Sequence, residues 1–268
     1  MNYEKIIHKL WDIYTAQNPS VQKVYDLFVA HGEDVINDHI AFRTFDDDRV
    51  NIDVLSRPFR ENGYAEKGEY RFEEKKLFAK HFEHREDDHA PRVFISQLIT
   101  SEFSNDLQDT VKRCIDAVPE ERLKGDDLIR SGNLWGPLSF DVYSRLKEES
   151  EYAAWLYVYG FCANHFTVSI NHLRAFPMIE GVNRMLKENG FRLNDSGGEV
   201  KGTPEQLLEQ SSIKAEPVKV RFSEGEREIP GCYYEFAKRY PGPDGNLFSG
   251  FIAGSADKIF ESTDFYKK

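Results

Sequence analysis

The sequence predicts an α+β fold in which two βαβββ modules face one another and form a curved, mixed sheet around a metal-containing cavity. Three observations predict it: two strands that each carry a histidine, a helix after each strand, and a similar stop after each helix. The first set contains His39 and Glu61–Tyr64, and the second contains His165 and Glu188–Phe191. The two histidines lie 126 residues apart and the two Asn-Gly pairs 127 apart, so we interpret the sets as an internal repeat.

The repeat divides the chain, which we expect to form a single domain over residues 1–268, into four parts. These are N-terminal helices (1–36), a first module (37–100), a helical connection (101–158) and a second module (159–268). The chain has a mass of 31.1 kDa and 40% apolar residues, among them 20 Phe and 13 Tyr, which is enough to fill a core of that size.

Hydrophobic spacing and turn residues predict the elements in chain order. Apolar residues three and four positions apart predict helices over 3–15, 20–31, 51–62, 102–117, 142–156 and 177–189. Pro58 would kink or shorten the third of these, and Thr203 as N-cap predicts a short helix over 203–210. Short aromatic and β-branched runs predict strands at Asp38–Phe45, within 69–100 (clearest over Arg92–Leu98), and at Phe161–Asn171, Val218–Phe222, Cys232–Phe236 and Leu247–Ala253.

The charge of the chain limits its partners. It has 35 Lys and Arg against 46 Asp and Glu, a formal charge of −11. We therefore expect neither a nucleic acid nor an anionic membrane as partner. The longest uncharged stretch, residues 152–170, is too polar to span a bilayer. Glu4 and Asp12 interrupt the N-terminal apolar segment, so we expect no signal peptide.

The cysteines point to a reducing compartment. There are three, an odd number, and no CxxC pair occurs, which argues against a disulfide framework or a structural zinc site. We therefore expect a cytoplasmic protein. The three are Cys114, Cys162 and Cys232.

Two strands carry a histidine and polar groups on one face and apolar groups on the other. Alternation places one set on a face of the first strand: His39, Ala41, Arg43 and Phe45. The second strand has a matching set: His165, Thr167, Ser169 and Asn171. Such a face is typical of a strand that meets water or of one that lines a polar cavity. Strand histidines are also commonly just hydrogen-bonded, so the pattern alone leaves a structural role open.

A metal site in that cavity needs a third ligand, and Glu235 is the best candidate. It sits in an otherwise apolar strand, where an ionised carboxylate is costly unless it is paired or bound to a metal. His39, His165 and Glu235 would then form the two-histidine, one-carboxylate set that is typical of non-haem Fe(II) and leaves coordination positions open for substrate and O2.

Arg43 is the candidate for binding a substrate. It follows His39 by four residues on the same face, which separates the two Cα atoms by about 13 Å. That distance leaves room for a short dicarboxylate, and arginine suits bidentate binding of a carboxylate. A rim ion pair with a neighbouring acid is the alternative: Asp46, Asp47 or Asp48. The charged run that follows holds three histidines that we expect to be solvated: His81, His84 and His89.

Several segments, taken in order, resemble the iron-dependent 2-oxoadipate dioxygenase/decarboxylase family, whose fold is of the vicinal oxygen chelate type. The segments are Asp38–Phe45, Asn164–Thr167, Glu209–Ser212, Tyr233–Phe236 and Gly250–Ala253 with Ile259–Thr263. The resemblance runs from about residue 5 to the C-terminus. Some family members carry a long C-terminal extension, whereas this chain ends soon after Glu235, so substrate contacts from such an extension are not carried over.

The resemblance implies a specific reaction. It implies Fe(II) held by His39, His165 and Glu235, with Arg43 on the substrate carboxylate. It also implies conversion of 2-oxoadipate and O2 into 2-hydroxyglutarate and CO2, within lysine catabolism. Two alternatives stay open: another metal-dependent enzyme on this scaffold, such as an isomerase or another 2-oxo acid oxygenase, and a metal-free protein that binds a small anion. A hydrolase has less support, since no GxSxG, P-loop, GxGxxG or HExxH motif occurs.

Overall fold

The structure is a computed structural model that describes residues 2–252 and 254. Its α-helices are α1 Tyr3–Gln17, α2 Pro19–Ala30, α3 Ile52–Arg60, α4 Asn105–Asp116, α5 Glu120–Leu123, α6 Phe140–Glu149, α7 Glu151–Tyr159 and α8 Ile179–Glu188. Its strands are β1 Asn37–Phe45, β2 Tyr64–Phe72, β3 Leu77–His84, β4 Arg92–Leu98, β5 Ala163–Ser169, β6 Lys201–Thr203, β7 Leu208–Ser212, β8 Pro217–Phe222, β9 Gly225–Pro230 and β10 Glu235–Arg239.

Eight strands form one curled, mixed sheet in the order β2-β3-β4-β1-β5-β10-β7-β6. The first module is β1, α3, β2, β3 and β4, and the second is β5, α8, β6, β7 and β10, so each has a βαβββ order. Within each module the first and last strands are parallel neighbours, and β1 and β5 join the modules as an antiparallel pair at the centre. The predicted α+β fold of paired βαβββ modules is confirmed.

The N-terminal helices pack on the apolar face of β5 and its neighbour β10. The Trp11 and Tyr14 rings of α1 lie 5.1 and 5.0 Å from that of Phe166 on β5. On α2, Phe28 lies 5.9 Å from Phe236 of β10. Because these aromatic contacts occupy one face, the histidine side chains of β1 and β5 project to the other face of the sheet.

One predicted helix is wrong and another is divided in two. Residues 203–210 form a single 3₁₀ turn followed by a strand, because Leu207 adopts a left-handed conformation (φ 65°) and β7 then pairs with β10. Thr203 does cap the turn by accepting from the N–H of Gln206. The helix predicted over 142–156 breaks at Ser150, whose extended backbone ends α6 and whose side chain caps α7.

Two predicted strands differ from the structure. The strand predicted over Cys232–Phe236 begins at Glu235, so the candidate ligand is its first residue. Residues 247–252 form no strand. The carbonyls of Phe248 and Gly250 instead accept hydrogen bonds from Arg239. Ala253 and the segment Ile259–Thr263 lie outside the described residues.

Two further expectations concern the cysteines and the membrane. The three cysteines are buried and free, so the prediction that they form no disulfide framework is confirmed. Over the described part of the chain, none of the helices combines the length and the apolar character needed to cross a bilayer.

Candidate active site

The antiparallel pairing of β1 with β5 brings the two predicted histidines together. In this register Ala41 lies opposite His165, and His39 lies opposite Thr167. The imidazole rings of His39 and His165 are therefore neighbours, with centroids 5.5 Å apart. Both side chains are buried at the centre of the sheet.

Glu235 joins the histidines because β10 is the parallel neighbour of β5. It lies opposite Thr167 and is fully buried. Its Oε2 is 3.1 Å from His165 Nε2, and its Oε1 is 3.6 Å from His39 Nε2. One nitrogen or oxygen of each residue lies within 4.8 Å of the others, so His39, His165 and Glu235 form a group that could hold a metal ion.

Each histidine is oriented by the residue just before it. His39 Nδ1 lies 2.8 Å from Asp38 Oδ1, and His165 Nδ1 lies 3.1 Å from Asn164 Oδ1. Both oxygens only accept hydrogen bonds, so each histidine carries its proton on Nδ1 and a lone pair on Nε2. The Thr167 hydroxyl donates to His39 Nε2 at 3.1 Å, consistent with that lone pair. Second partners of this kind orient histidine ligands at metal sites.

A buried arginine holds Asp38. Arg239 Nε and Nη2 donate to the two Asp38 oxygens at 2.7 and 2.9 Å. Burial would raise the pKa of Asp38, but the Arg239 charge and the hydrogen bonds from His39 and Arg239 hold it well below its ordinary value. Asp38 is therefore a carboxylate. Sequence analysis did not identify Arg239, whose partner lies 201 residues away in the chain.

The charge states of the three candidate ligands fit a divalent cation. Burial lowers the pKa of His39, and burial together with His39 and Arg43 lowers that of His165 well below its ordinary value, so both imidazoles are neutral. Burial raises the pKa of Glu235 to about 8, so without a metal its carboxyl group is largely protonated at neutral pH, and a bound cation would displace that proton. Gln210 Nε2 donates to Glu235 Oε1 at 2.5 Å, whereas Oε2 has no hydrogen-bond partner among the described residues. A cation between Oε2 and the two Nε2 lone pairs would satisfy all three atoms.

Arg43 lies inside the protein rather than at a rim. It is 2% exposed, and its Cζ is 5.0 Å from the centroid of the Tyr152 ring and 4.9 Å from that of Trp155, both on α7. The neighbouring acids bond elsewhere: Asp46 accepts from Thr100, and Asp47 accepts from Arg49. The burial of Arg43 therefore favours the interpretation that it faces the site over that of a rim ion pair.

Tyr233 is a residue of the site that sequence analysis did not identify. Its ring stacks on the imidazole of His165, with centroids 4.6 Å apart and planes inclined by 29°. Burial and the Glu235 carboxylate raise its pKa well above the ordinary value, and the Arg43 charge opposes that rise. The only sequence signal is its position two residues before Glu235, which places both side chains on the same face if the extended backbone continues.

One histidine of the charged run, His81, is buried, so the prediction that it is solvated is wrong. It is 2% exposed because β3 lies inside the sheet between β2 and β4. Its Nδ1 hydrogen-bonds with the Tyr70 hydroxyl at 2.8 Å and its Nε2 with Glu83 at 2.9 Å. The Phe251 ring lies between His81 and the candidate ligand His39, with its centroid 5.5 Å from that of His81 and 4.9 Å from that of His39.

Comparison with known proteins identifies the family. A family model described as 2-oxoadipate dioxygenase/decarboxylase matches residues 6–124 and 127–246. The chain belongs to this family. The 2-oxoadipate dioxygenase/decarboxylase of Arabidopsis thaliana chloroplasts is 35% identical over 237 residues, which is 79% of this chain and 64% of that protein. The chain thus spans less than two thirds of the length of this relative.

Solved structures agree with the family and with the fold. A hydroxyglutarate synthase from Oryza sativa in complex with 2-oxoadipate has a TM-score of 0.90 and 34% identity, covering 98% of this chain and 92% of that one. A protein from Shewanella frigidimarina, named as a candidate hydrolase, has a TM-score of 0.88 and 50% identity over 93% of this chain and 97% of that one. A glyoxalase superfamily protein from Ralstonia eutropha, 21% identical with a TM-score of 0.76, shares the fold.

The plant relatives correct the predicted compartment. The cytoplasmic location expected from the cysteines is contradicted by their names: the Arabidopsis dioxygenase/decarboxylase is chloroplastic, and one from Oryza sativa, 35% identical over 235 residues, is chloroplastic/amyloplastic. Free cysteines indicate a reducing environment, and more than one compartment provides one. Cysteine usage therefore does not distinguish between them.

Proposed function

We propose that the chain is a non-haem iron dioxygenase that converts 2-oxoadipate and O2 into 2-hydroxyglutarate and CO2, in lysine catabolism. The observation that supports this most is the buried group of His39, His165 and Glu235 beside Arg43. Two neutral imidazoles and one carboxylate are the ligand set typical of Fe(II) enzymes that use O2. The family assignment and the 2-oxoadipate held by the rice structure agree with this proposal.

In this proposal the metal is Fe(II), and the ligand atoms are Nε2 of His39, Nε2 of His165 and Oε2 of Glu235. Bound iron would supply a Lewis acid with open positions for the 2-oxo acid and O2. Asp38 and Asn164 keep the two imidazoles in the tautomer that presents Nε2.

The remaining residues bind and orient the substrate. Arg43 binds the carboxylate far from the metal and so sets the direction of the carbon chain. The rings of Tyr152 and Trp155 both pack against its guanidinium, which limits its freedom before the substrate arrives. Burial of the whole group excludes bulk water, which strengthens the charge–charge attraction to the substrate.

Oxygen consumption tests the proposal directly. Protein purified without oxygen and loaded with Fe(II) is expected to consume one O2 and release one CO2 for each 2-oxoadipate, and to form one 2-hydroxyglutarate. The His165→Ala variant is expected to lose both iron binding and O2 uptake, because it removes a ligand. His89→Ala, which changes an exposed histidine of the loop after β3, is the matched control and should retain both.

Each other outcome rejects a stated part of the proposal. Bound iron without 2-oxoadipate-dependent O2 uptake would reject the substrate, and 2-oxoglutarate tested in parallel would show whether another 2-oxo acid is used. Conversion of 2-oxoadipate into an isomer of the same composition, without O2 consumption or CO2 release, would indicate an isomerase. Tight binding of a 2-oxo acid by protein that binds no metal would indicate an anion-binding protein.

A further inference from the structure

Two adjacent tyrosines just before β10 have different surroundings. Tyr233 and Tyr234 are both fully buried. Tyr234 packs in the aromatic core, 5.8 Å from Trp11 and 5.6 Å from Phe236. Tyr233 instead stacks on the candidate metal ligand His165 at 4.6 Å. One tyrosine therefore belongs to the core beneath the helices and the other to the candidate active site.

The Tyr233 hydroxyl is a donor without an acceptor. No oxygen or nitrogen of the described residues accepts its proton, and the positively charged Arg43 lies beside it. Arginine has only donors, so it cannot accept that proton. A buried O–H group that donates to nothing is costly, and an anionic oxygen placed there would accept from both the phenol and the guanidinium.

The lack of an acceptor does not by itself indicate a ligand, as the neighbouring tyrosine shows. The Tyr234 hydroxyl also has no partner among the described residues, yet its ring packs in the core against those of Trp11 and Phe236. The Tyr233 hydroxyl differs because it shares its surroundings with a buried cation and a candidate metal ligand. The stacking on His165 also fixes the phenol relative to the metal position, because a ring in face-to-face contact has little freedom to shift.

We propose that Tyr233 is a substrate-binding residue, whose hydroxyl donates a hydrogen bond to the same carboxylate that Arg43 binds. This inference rests on the proposed function and extends it to substrate choice. With two donors for the distant carboxylate, the site selects 2-oxo acids that carry a second carboxylate over those that end in a methyl group. A substrate without that carboxylate would leave the Tyr233 hydroxyl buried without an acceptor among the described residues.

Binding measured without turnover tests this role. Anaerobic, Fe(II)-loaded protein is titrated by calorimetry with 2-oxoadipate and with 2-oxohexanoate, which has the same chain length but no second carboxylate. For Tyr233→Phe we expect the Kd of 2-oxoadipate to rise about tenfold, the usual effect of one lost hydrogen bond to a charged group. The Kd of 2-oxohexanoate and the Kd of Fe(II) should not change. Tyr234→Phe, which removes the hydroxyl in the core, should change none of the three.

The controls separate this inference from the proposed function. Wild-type protein that binds iron but not 2-oxoadipate would overturn both. Wild-type binding of 2-oxoadipate with an unchanged Kd in Tyr233→Phe would overturn only the role of Tyr233. An equal rise in the Kd of both 2-oxo acids would also overturn it, since that result indicates a general packing effect. Thermal unfolding confirms that both variants fold, because replacing Tyr by Phe retains the buried ring.

Discussion

The two modules of the sheet have the same strand order but unequal chemistry. In each, a histidine-bearing strand lies beside a parallel last strand: β1 beside β4, and β5 beside β10. The registers correspond, since Ala41 lies opposite Phe94 and Thr167 lies opposite Glu235, and both Ala41 and Thr167 follow a candidate ligand histidine by two residues. Phe94 is therefore the counterpart of Glu235.

This difference explains why the site has one carboxylate and not two. A carboxylate at both counterpart positions would surround a cation with four protein ligands. In the first module the position is instead apolar, and the Phe94 ring lies 4.9 Å from that of Phe251. The first module thus supplies one candidate ligand and an aromatic wall, whereas the second supplies two candidate ligands. Three protein ligands would leave coordination positions open, as the proposed reaction of a 2-oxo acid with O2 requires.

The modules differ in two further ways. The residue before the histidine is the charged Asp38 in the first and the neutral Asn164 in the second, and among the described residues an arginine pairs with Asp38 but not with Asn164. The second module also contains the β8–β9 hairpin between β7 and β10, where the first has only the loop 85–91. The duplicated scaffold brings the candidate ligands together. The two halves then differ in the residue before each histidine and in the β8–β9 hairpin.

The largest expected effect comes from truncating the two counterpart residues. Glu235→Ala removes a proposed metal ligand, so we expect loss of Fe(II) binding and of turnover. The stability of metal-free protein should change little, because loss of the hydrogen bond from Gln210 offsets removal of a buried carboxyl group whose Oε2 has no partner among the described residues. Phe94→Ala should retain Fe(II) binding but lower the free energy of unfolding by about 3–5 kcal/mol, as for other buried aromatic residues. Thermal unfolding with and without Fe(II) measures both.

The comparison would fail in either of two ways. If Fe(II) raised the melting temperature of Glu235→Ala as much as that of the wild type, the second module would not supply the carboxylate ligand. If Phe94→Ala abolished Fe(II) binding while remaining folded, the aromatic wall would contribute to the metal site and the two modules would be less different than their registers indicate.

The sequence predicted the repeat because each module encodes it locally. Alternation in β1 and β5, the helix after each, and the Asn-Gly stops depend on residues close together in the chain. The error over 203–210 has the opposite cause. Thr203 caps a turn as expected, but pairing with β10, a segment more than 20 residues further along, makes Leu208–Ser212 a strand. Strand pairing between distant segments is invisible to local spacing.

In the candidate site, too, residues with a local sequence pattern could be predicted and those that depend on distant contacts could not. Side-chain alternation indicated His39 and His165, and the cost of burying an ionised carboxylate in an apolar strand indicated Glu235, so these three could be found from sequence. Arg239 and Tyr233 could not, because their roles depend on contacts that only the folded sheet creates. Arg239 reaches Asp38 across 201 residues, and Tyr233 stacks on a strand 68 residues earlier in the chain.

The next largest effect concerns the residues before the two histidines. Asp38→Asn makes the first module match the second, but leaves the Arg239 guanidinium buried without its carboxylate. We expect a loss of about 3–5 kcal/mol of stability, and Fe(II) affinity weaker by about 10- to 100-fold. Chemical denaturation and Fe(II) titration measure the two effects.

A double variant separates the role of Asp38 in orienting His39 from its role in pairing with Arg239. Asp38→Asn with Arg239→Met removes the unpaired charge, so much of the stability should return while Fe(II) affinity stays weak. Recovery of both properties together would show that Asp38 serves only to neutralise Arg239. The conservative change Asn164→Ser keeps an acceptor for His165 and should affect stability much less than Asp38→Asn.

The smallest effect concerns the hairpin that only the second module has. In its turn, Glu224 accepts hydrogen bonds from the Ser139 hydroxyl at 2.6 Å and from the Phe140 N–H at 2.8 Å, at the start of α6. These bonds, that from Ser139 first, lower the pKa of Glu224 from 4.5 to about 2. Because the pKa is lower in the folded state, this stabilisation is complete above the unfolded value and is lost as the pH falls toward about 2.

Glu224→Gln should therefore melt slightly below the wild type at neutral pH, and the difference should shrink steadily as the pH falls below 4.5. Glu228→Gln, in the same hairpin and exposed, is the matched control and should melt like the wild type throughout. A difference that stayed constant down to the acid limit of folding would mean that Glu224 acts through shape rather than charge. The hairpin would then be attached to α6 by packing alone, through contacts such as that of Phe140 with Phe222.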